Sequence, residues 1–462
     1  MTSSSSPPPI PSSSKRKGGT GKIWLLILAI LFVPLMIFAG RHWWLSSKIK
    51  SRLAAVRAAH EPVTLAELNH FYPDVPARLN AALAYSHAFE LVQKSKSTNL
   101  LEHLDDLPLG SGPLPLDLRE QMEQAVAENQ ATFSKLEDAA RLAMCRYPVD
   151  YSLGWNTLLP HLRQLQKCSR LQLCRGVLQE QHGDVSGALD SVALILRHSA
   201  SLDSEPDLIG LVIQHKISFH ASELLRWILN HRRLSQPDLA RLQLVFERPE
   251  EPGRLDRALI AERCLVLALF DAPAGGMLGA IDPGFENKLA STGIYFLRVT
   301  GKMKADEIRF LERMTECQDA LRLPLPEKLD RAAEILAEIN QESVPKKFIF
   351  TSLLIRGFLK GFGKEAQGIA RQQLVRTALA TERYRAGEGR LPSSLIELVP
   401  DYLFQVPTDP FSGGPLKYAN REGGYVVYSV GPDRLDDGGL KPISRKPFRE
   451  HPPGDIIFAV GR

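Results

Sequence analysis

The run IWLLILAILFVPLMIFAG, Ile23 to Gly40, holds eighteen consecutive uncharged residues and constrains this chain more than any other stretch. Eighteen residues of helix at a rise of about 1.5 Å extend roughly 27 Å, close to the hydrocarbon thickness of a bilayer. Trp24 at one end and Trp43 with Trp44 at the other stand where interfacial aromatics are expected. A cleaved signal peptide is the competing reading. The apolar run is long for one, and Phe38-Ala39-Gly40 followed by Arg41-His42 offers no A-x-A cleavage site. The expectation is a single uncleaved transmembrane helix over residues 23–44.

Residues 1–22 are Ser/Pro-rich with a late basic cluster and cannot bury enough apolar surface to order, so a disordered basic tail is expected. Lys15, Arg16, Lys17 and Lys22 precede the span, while Arg41, Lys48, Lys50 and Arg52 follow it. The charge rule is thus nearly balanced, but a long C-terminal domain translocates largely regardless of charge. That favours a single-pass protein of the cytoplasmic (inner) membrane with its bulk in the periplasm or extracytoplasmic space. The net charge of +5 belongs to the membrane flank. Residues 1–60 hold nine Lys/Arg and no acid, which leaves 48 basic against 52 acidic residues beyond them. Such a flank suits the lipid bilayer as partner. No basic patch with interleaved aromatics argues for nucleic acid.

Five cysteines (Cys145, Cys168, Cys174, Cys264, Cys317) are scattered through apolar helix-like runs without zinc spacing, and read as buried small hydrophobes.

From 61 to 345 the dominant period is helical. Thr64 to Glu67 has the form of a capping box. Asp74 to Ser95 reads as one helix, and LREQMEQAVAENQATFSKLEDAARLAM as one long amphipathic run. Two further helices flank the turn His182-Gly183-Asp184 in a manner similar to one tetratricopeptide (TPR-like) helix pair. The Gly/Pro-rich stretch from Asp271 to Lys288 reads as a long loop able to cover something. Lys346 to Lys364 mixes Phe and Leu with lysines, as in a membrane-surface helix or a core helix whose lysines reach outward. Over 364–462 a helix ending at glycines is followed by short β-type runs, PLKYA, GYVVYSV and DIIFAVG. The expected fold is mainly α: one transmembrane helix, an α-helical repeat-like body, and a small C-terminal α+β module with an antiparallel sheet.

Candidates for chemistry are few. His215, His220 and Glu223 are spaced i, i+5, i+8, which does not place two zinc ligands on one face. The expectation is a hydrogen-bonded His220 at the core edge and a solvated His215. Glu262 and Arg263 interrupt an otherwise apolar helix and must find partners, or supply a carboxylate of raised pKa. No H-E-x-x-H, G-x-S-x-G or Walker loop is present. The loop in YVVYSVGPDRLDDGG, Tyr425 to Gly439, fails the EF-hand template, since Leu435 and Ser444 occupy ligand positions. Three carboxylates also make it a poor phosphate cradle. A hard-cation loop and an Asp/Gly turn bonded to backbone amides both remain.

The ordered motifs ERYRAGEGRLPSSLIELVP, TDPFSGGPLKY, GYVVYSVGPDRLDDGG and GDIIF resemble the C-terminal part of the type II secretion major pseudopilin. The resemblance implies a calcium (Ca2+) loop. In it Asp433 matches the loop aspartate, Gly438 and Gly439 the paired glycines, and Asp455 the distal aspartate. Asp436 and Asp437 are extra acids of the same loop. Asp409 and Pro410 match a structural turn. As a whole the chain resembles large planctomycete-type bacterial proteins in which one membrane span precedes a helical body and this pseudopilin-like ending. The expected function is a membrane-anchored extracytoplasmic protein-binding or scaffold module rather than an enzyme, with a calcium-stabilised end. The alternatives are an envelope-polymer hydrolase using buried carboxylates such as Glu262, and an accessory component of a type II secretion or pilus-like assembly. Envelope or secretion-system proteins are the expected partners.

Overall fold

In a computed structural model of the chain, the described residues are 20–104, 109, 112–247, 253–281, 288–342, 348–440 and 454–462. The expected tail, residues 1–22, lies outside them up to residue 19. Helix α1 (Thr20–Ala58) runs unbroken through the apolar stretch and past Pro34. Ile30, Phe32, Val33, Leu35, Met36 and Ile37 on it are all exposed. Among the described residues no helix is long and apolar enough to cross a membrane, and the side chains of residues 20–23, 25–29 and 31 are outside that set. The C-terminal part of α1 leaves this exposed region and packs Leu45 and Ile49 on the helical body.

Helix α2 (Leu65–Phe71) begins at the capping box read from the sequence: Thr64 accepts from the Glu67 amide, and the Glu67 carboxylate accepts from the Thr64 amide. The stretch expected as one helix from Asp74 starts only at α3 (Ala82–Gln93). Asn80 explains the delay, because its Oδ1 accepts from the amides of Ala82 and Arg146 and holds an extended backbone there. Helix α4 (Thr98–His103) is short. The long amphipathic run divides into α5 (Leu116–Glu128) and α6 (Gln130–Ala140). The break is at buried Asn129, whose side chain donates back to the Ala125 carbonyl and to Ser95. That is the local competition by which Asn ends helices.

Helices α7 (Pro160–Gln181) and α8 (Val185–Ala200) form the antiparallel pair expected at His182-Gly183-Asp184. Gly183 takes φ +83°, and Asp184 caps α8 by accepting from the Gly187 amide at 2.9 Å. Then come α9 (Leu208–His231), α10 (Gln236–Phe246) and α11 (Arg254–Asp271). The stretch expected as a loop from Asp271 to Lys288 instead carries a helix, α12 (Ala274–Ile281), and residues 282–287 lie outside the described set. Helices α13 (Lys288–Val299), α14 (Lys302–Leu321) and α15 (Glu327–Glu342) complete the body. A charged seam joins the last two: Arg313, 1 % exposed, meets Glu316, Glu338 and Glu342.

Helix α16 (Ile349–Glu388) is forty residues long, so a boundary at 364 falls inside it. Its first half buries Phe350, Ile355, Phe358, Leu359 and Phe362 in a core shared with α11, α14 and α15. Leu374 to Tyr384 enter a second, larger core with α3, α7, α8 and α9. Ala366 and Ala370, between them, pack on Phe411 and Val430. One helix therefore threads both cores. After Gly389, at φ +72°, a 3-10 turn leads to strands β1 (Lys417–Arg421), β2 (Gly424–Ser429) and β3 (Ile456–Gly461). They form an antiparallel sheet of order β1-β2-β3, as expected. Along β2, Tyr425 and Val427 face the larger core. Val426 and Tyr428 point the other way, as strand alternation requires, under Gly439. The sheet is thus continuous with the helical body through a common core.

Candidate functional site

The Asp/Gly loop lies against the outer face of β2. Gly439 takes φ +71°, and a Cβ there would meet Tyr428 at 2.9 Å, so only glycine lets the loop lie this close. Its aspartates bond backbone amides. Asp433 accepts from Leu435 and, across the sheet end, from Gly454 at 2.8 Å. Asp436 accepts from the Gly438 amide and the Tyr428 hydroxyl, and the Gly438 N–H holds its carboxyl below the usual range. Asp455, buried, accepts from the amides of Gly439 at 2.6 Å and Asp437 at 3.4 Å, while burial pushes its carboxyl up. Asp409, fully buried, accepts from the amides of Phe411 and Val430 and from the Ser429 hydroxyl.

Of the four residues expected to hold metal, Asp433, Asp436 and Asp455 are therefore engaged as backbone caps, and Asp437 contributes its amide rather than its carboxylate. Among the described residues no three acidic, His or Cys side chains converge as metal ligands. Residues 441–453, between the paired glycines and Asp455, are outside that set. The carboxylates described are bonded within a self-satisfied turn, whereas a calcium cage needs six to eight converging oxygens.

The histidines separate. His220 is buried with Nδ1 2.7 Å from Ser169 Oγ, as expected of a core-edge histidine. His215 is buried too, 8 % exposed, which corrects its expected solvation. The cause is Gly368 on α16, whose missing side chain admits the imidazole: a Cβ there would lie 2.8 Å from His215 Nε2. All five cysteines are buried and unbridged, and burial pushes the Cys174 and Cys264 thiols up to about 12.

Glu262 is buried and accepts from the Leu208 amide, at the first turn of α9, with Asp207 nearby. Burial pushes its carboxyl up to about 8. Arg263 turns elsewhere, to Glu61 at 2.7 Å and the Pro62 carbonyl. The residues around the α9 terminus form a cluster that sequence reasoning did not find. Asp207 caps the Gly210 amide and accepts from Tyr151 Oη at 2.9 Å. Glu205, fully buried, lies 2.5 Å from His161 Nε2. Buried Arg254 donates to the Glu205 carbonyl. A Cβ on Gly210 would meet Glu205 at 2.9 Å, Arg254 at 3.1 Å and Asp207 at 3.2 Å, so the three charged groups converge on that glycine. The members come from four separated stretches of chain, and no spacing could have announced their meeting.

Two concave features are lined in part by α8. A cavity of about 100 Å³ between α8, α9, α10 and α16 is lined by Ser218, Phe219, His215 and Arg371. A broader groove of about 950 Å³ crosses α6, α7, α8 and α10. Leu196 and Val245 line both, so the two adjoin. The groove carries Arg141, Arg175, Arg197 and Arg241 with Glu137 and Asp190; Arg141 also meets Asp138 at 3.3 Å and Arg197 donates to the Ala140 carbonyl. Arg175 pairs with Glu137 at 2.8 Å and Arg241 with Asp190 at 2.6 Å. Leu244, at 69 % exposure, adds an apolar contact at the groove wall. Glu262 lines neither feature. No family model, curated protein or solved structure matches this chain.

Proposed function

We propose that the protein is a membrane-anchored extracytoplasmic scaffold that holds an acidic segment of another protein in the α6–α7–α8–α10 groove. The observation carrying this reading is the groove itself: concave, wide, and lined by four arginines and two acids beside exposed Leu244. Arginine forks bind carboxylates bidentately, and an apolar wall beside them suits a side chain of the same segment. The anchor is read from the uncharged run Ile23 to Gly40, and the unbroken helix with its exposed apolar side chains supports it.

Under this reading the C-terminal sheet is a cap on the helical body, fastened through α16 and the shared core. A pseudopilin-like origin of that segment, and attachment to a secretion-type assembly, is the companion proposal. A long helix carrying an antiparallel sheet on its second half supports it.

The test is fluorescence anisotropy of labelled poly-Glu and poly-Lys peptides with the detergent-solubilised full chain. Poly-Glu should bind, poly-Lys should not, and the pair Arg175→Glu and Arg241→Glu should abolish binding. Equal affinity for both peptides, or no response to the charge reversal, rejects the groove as the site.

A further inference from the structure

Helix α13 is held to the body on one side only. Ile294, 4 % exposed, and the partly buried Leu297 enter the core shared by α11, α14 and α16. Tyr295 at 68 %, Phe296 at 58 % and Val299 at 45 % face outward. Large apolar side chains clustered on one exposed helix face mark a surface that meets something other than water.

What it meets is indicated by its neighbour. The His42 imidazole on α1 lies 2.9 Å from the Val299 carbonyl. Gly301, at φ +71°, lets the chain after α13 pass against α1, since a Cβ there would lie 3.2 Å from Leu45 and 3.3 Å from His42. α13 therefore ends beside the point where the apolar run of α1 gives way to Trp43 and Trp44, themselves 74 % and 56 % exposed. Cations flank the aromatics: Lys302 Nζ stands 5.8 Å from the Phe296 ring, and Lys48 Nζ 5.7 Å from the Trp44 ring. Aromatic rings with lysines beside them at the end of an apolar helix form the composition favoured in a headgroup layer.

We propose that α13 is an interfacial helix. Its Tyr295–Phe296–Val299 face lies in the headgroup layer of the bilayer beside the exit of α1, so the folded body rests on the membrane. Trp43, Trp44 and this face then make one continuous footing. The inference rests on the anchor reading of α1 and adds a second, independent membrane contact. The sequence left Lys346 to Lys364 open between a membrane-surface helix and a core helix whose lysines reach outward. There, however, Phe350, Phe358, Leu359 and Phe362 are buried in the core.

The five native cysteines are buried, so single nitroxide labels can be placed on the full chain reconstituted in phosphatidylcholine–phosphatidylglycerol vesicles. Labels go at Phe296→Cys, at Ile37→Cys in the apolar run, and at Leu244→Cys in the groove. Power saturation compares exposure to lipid-soluble oxygen with exposure to a water-soluble nickel chelate. The expected oxygen-to-nickel ratio is highest at Ile37, several-fold above Leu244 at Phe296, and aqueous at Leu244. Tyr295→Asp with Val299→Asp should return the Phe296 label to the Leu244 value. An aqueous Phe296 label beside a lipid-immersed Ile37 label overturns the interfacial helix and leaves the anchor standing. An aqueous Ile37 label overturns both.

Discussion

Two acidic sites in this molecule solve the same problem in opposite ways. The Asp/Gly loop on β2 draws its carboxylates from 433–437 and 455 and meets them with backbone amides at the sheet's edge. The cluster at the start of α9 buries Glu205, Asp207 and Glu262 and meets them with a guanidinium, an imidazole, a phenol and a helix N-terminus. Amides supplied by a turn come with the turn, so a short acidic loop can satisfy itself. Carboxylates taken into a core need cations or protons, because an unpaired buried charge costs several kcal/mol. The loop resembles a metal site by composition yet is closed by its own backbone. The cluster looks like nothing in the sequence, and there charge is concentrated.

The largest effect should come from removing the cluster's cation. Arg254→Met leaves Glu205 and Asp207 facing each other at the same glycine. Losing one partner of a buried ionic group typically costs about 3–5 kcal/mol, read as a lower urea midpoint of the solubilised full chain. A loss below about 1 kcal/mol would mean that His161 and solvent suffice for these carboxylates.

Next is Glu262, whose carboxyl is raised from 4.5 to about 8 by burial. Its folded pKa lies above its unfolded one, so the folded state binds the extra proton. Stability then falls as pH rises from about 4.5 to about 8, the two values set by the raised carboxyl. Glu262→Gln should abolish that slope. Near pH 5 the variant should be close to the parent, and by pH 8 it should be more stable, by about 4 kcal/mol at most. A melting profile in which parent and variant run parallel from pH 5 to 8 would show that Glu262 ionises in place. That outcome would remove the raised carboxyl and count against its reading as a working acid.

Asp409 brings the comparison to the loop side. Asp409→Ala strands two buried amides and the Ser429 hydroxyl, at a cost of about 2 kcal/mol. Asp409→Asn retains one acceptor and should recover part of it. Because the sheet shares its core with α7, α8 and α9, the loss should appear in the single unfolding transition of the whole chain. A separate early transition would mean that the C-terminal segment unfolds by itself.

Legibility followed the same division between local and distant. The Thr64–Glu67 box, the Gly183 turn and the three strands were readable because each is determined within a few residues. The apolar run Tyr425 to Tyr428 was enough to predict a strand, and both of its faces are covered. The helix break at Asn129 has a local part, its bond back to the Ala125 carbonyl, but the contact that buries and fixes that side chain is with Ser95, thirty-four positions away. The burial of His215 was not readable, since it depends on Gly368 in a helix far along the chain. The outward face of α13 was missed for a related reason. Its residues resemble any amphipathic helix until the packing of Ile294 shows which side is left over. The groove needed four helices at once.

The smallest expected effect decides what the loop is for. With the carboxylates of Asp433, Asp436 and Asp455 engaged by N–H groups, a calcium ion would have to displace several hydrogen bonds to enter. Millimolar Ca2+ should therefore leave the melting temperature of the full chain unchanged, and Asp433→Ala should lower it slightly and equally with or without the ion. The full chain is the proper subject, because a fragment cut at 364 would divide α16 and expose the sheet's inner face. A calcium-dependent rise that Asp433→Ala removes would mean that the 441–453 segment supplies the missing oxygens. The loop would then join the metal-stabilised class its composition suggests. Without such a rise, its acids act as the glycines do, letting one irregular stretch of chain lie flat over Val426 and Tyr428 with its amides satisfied.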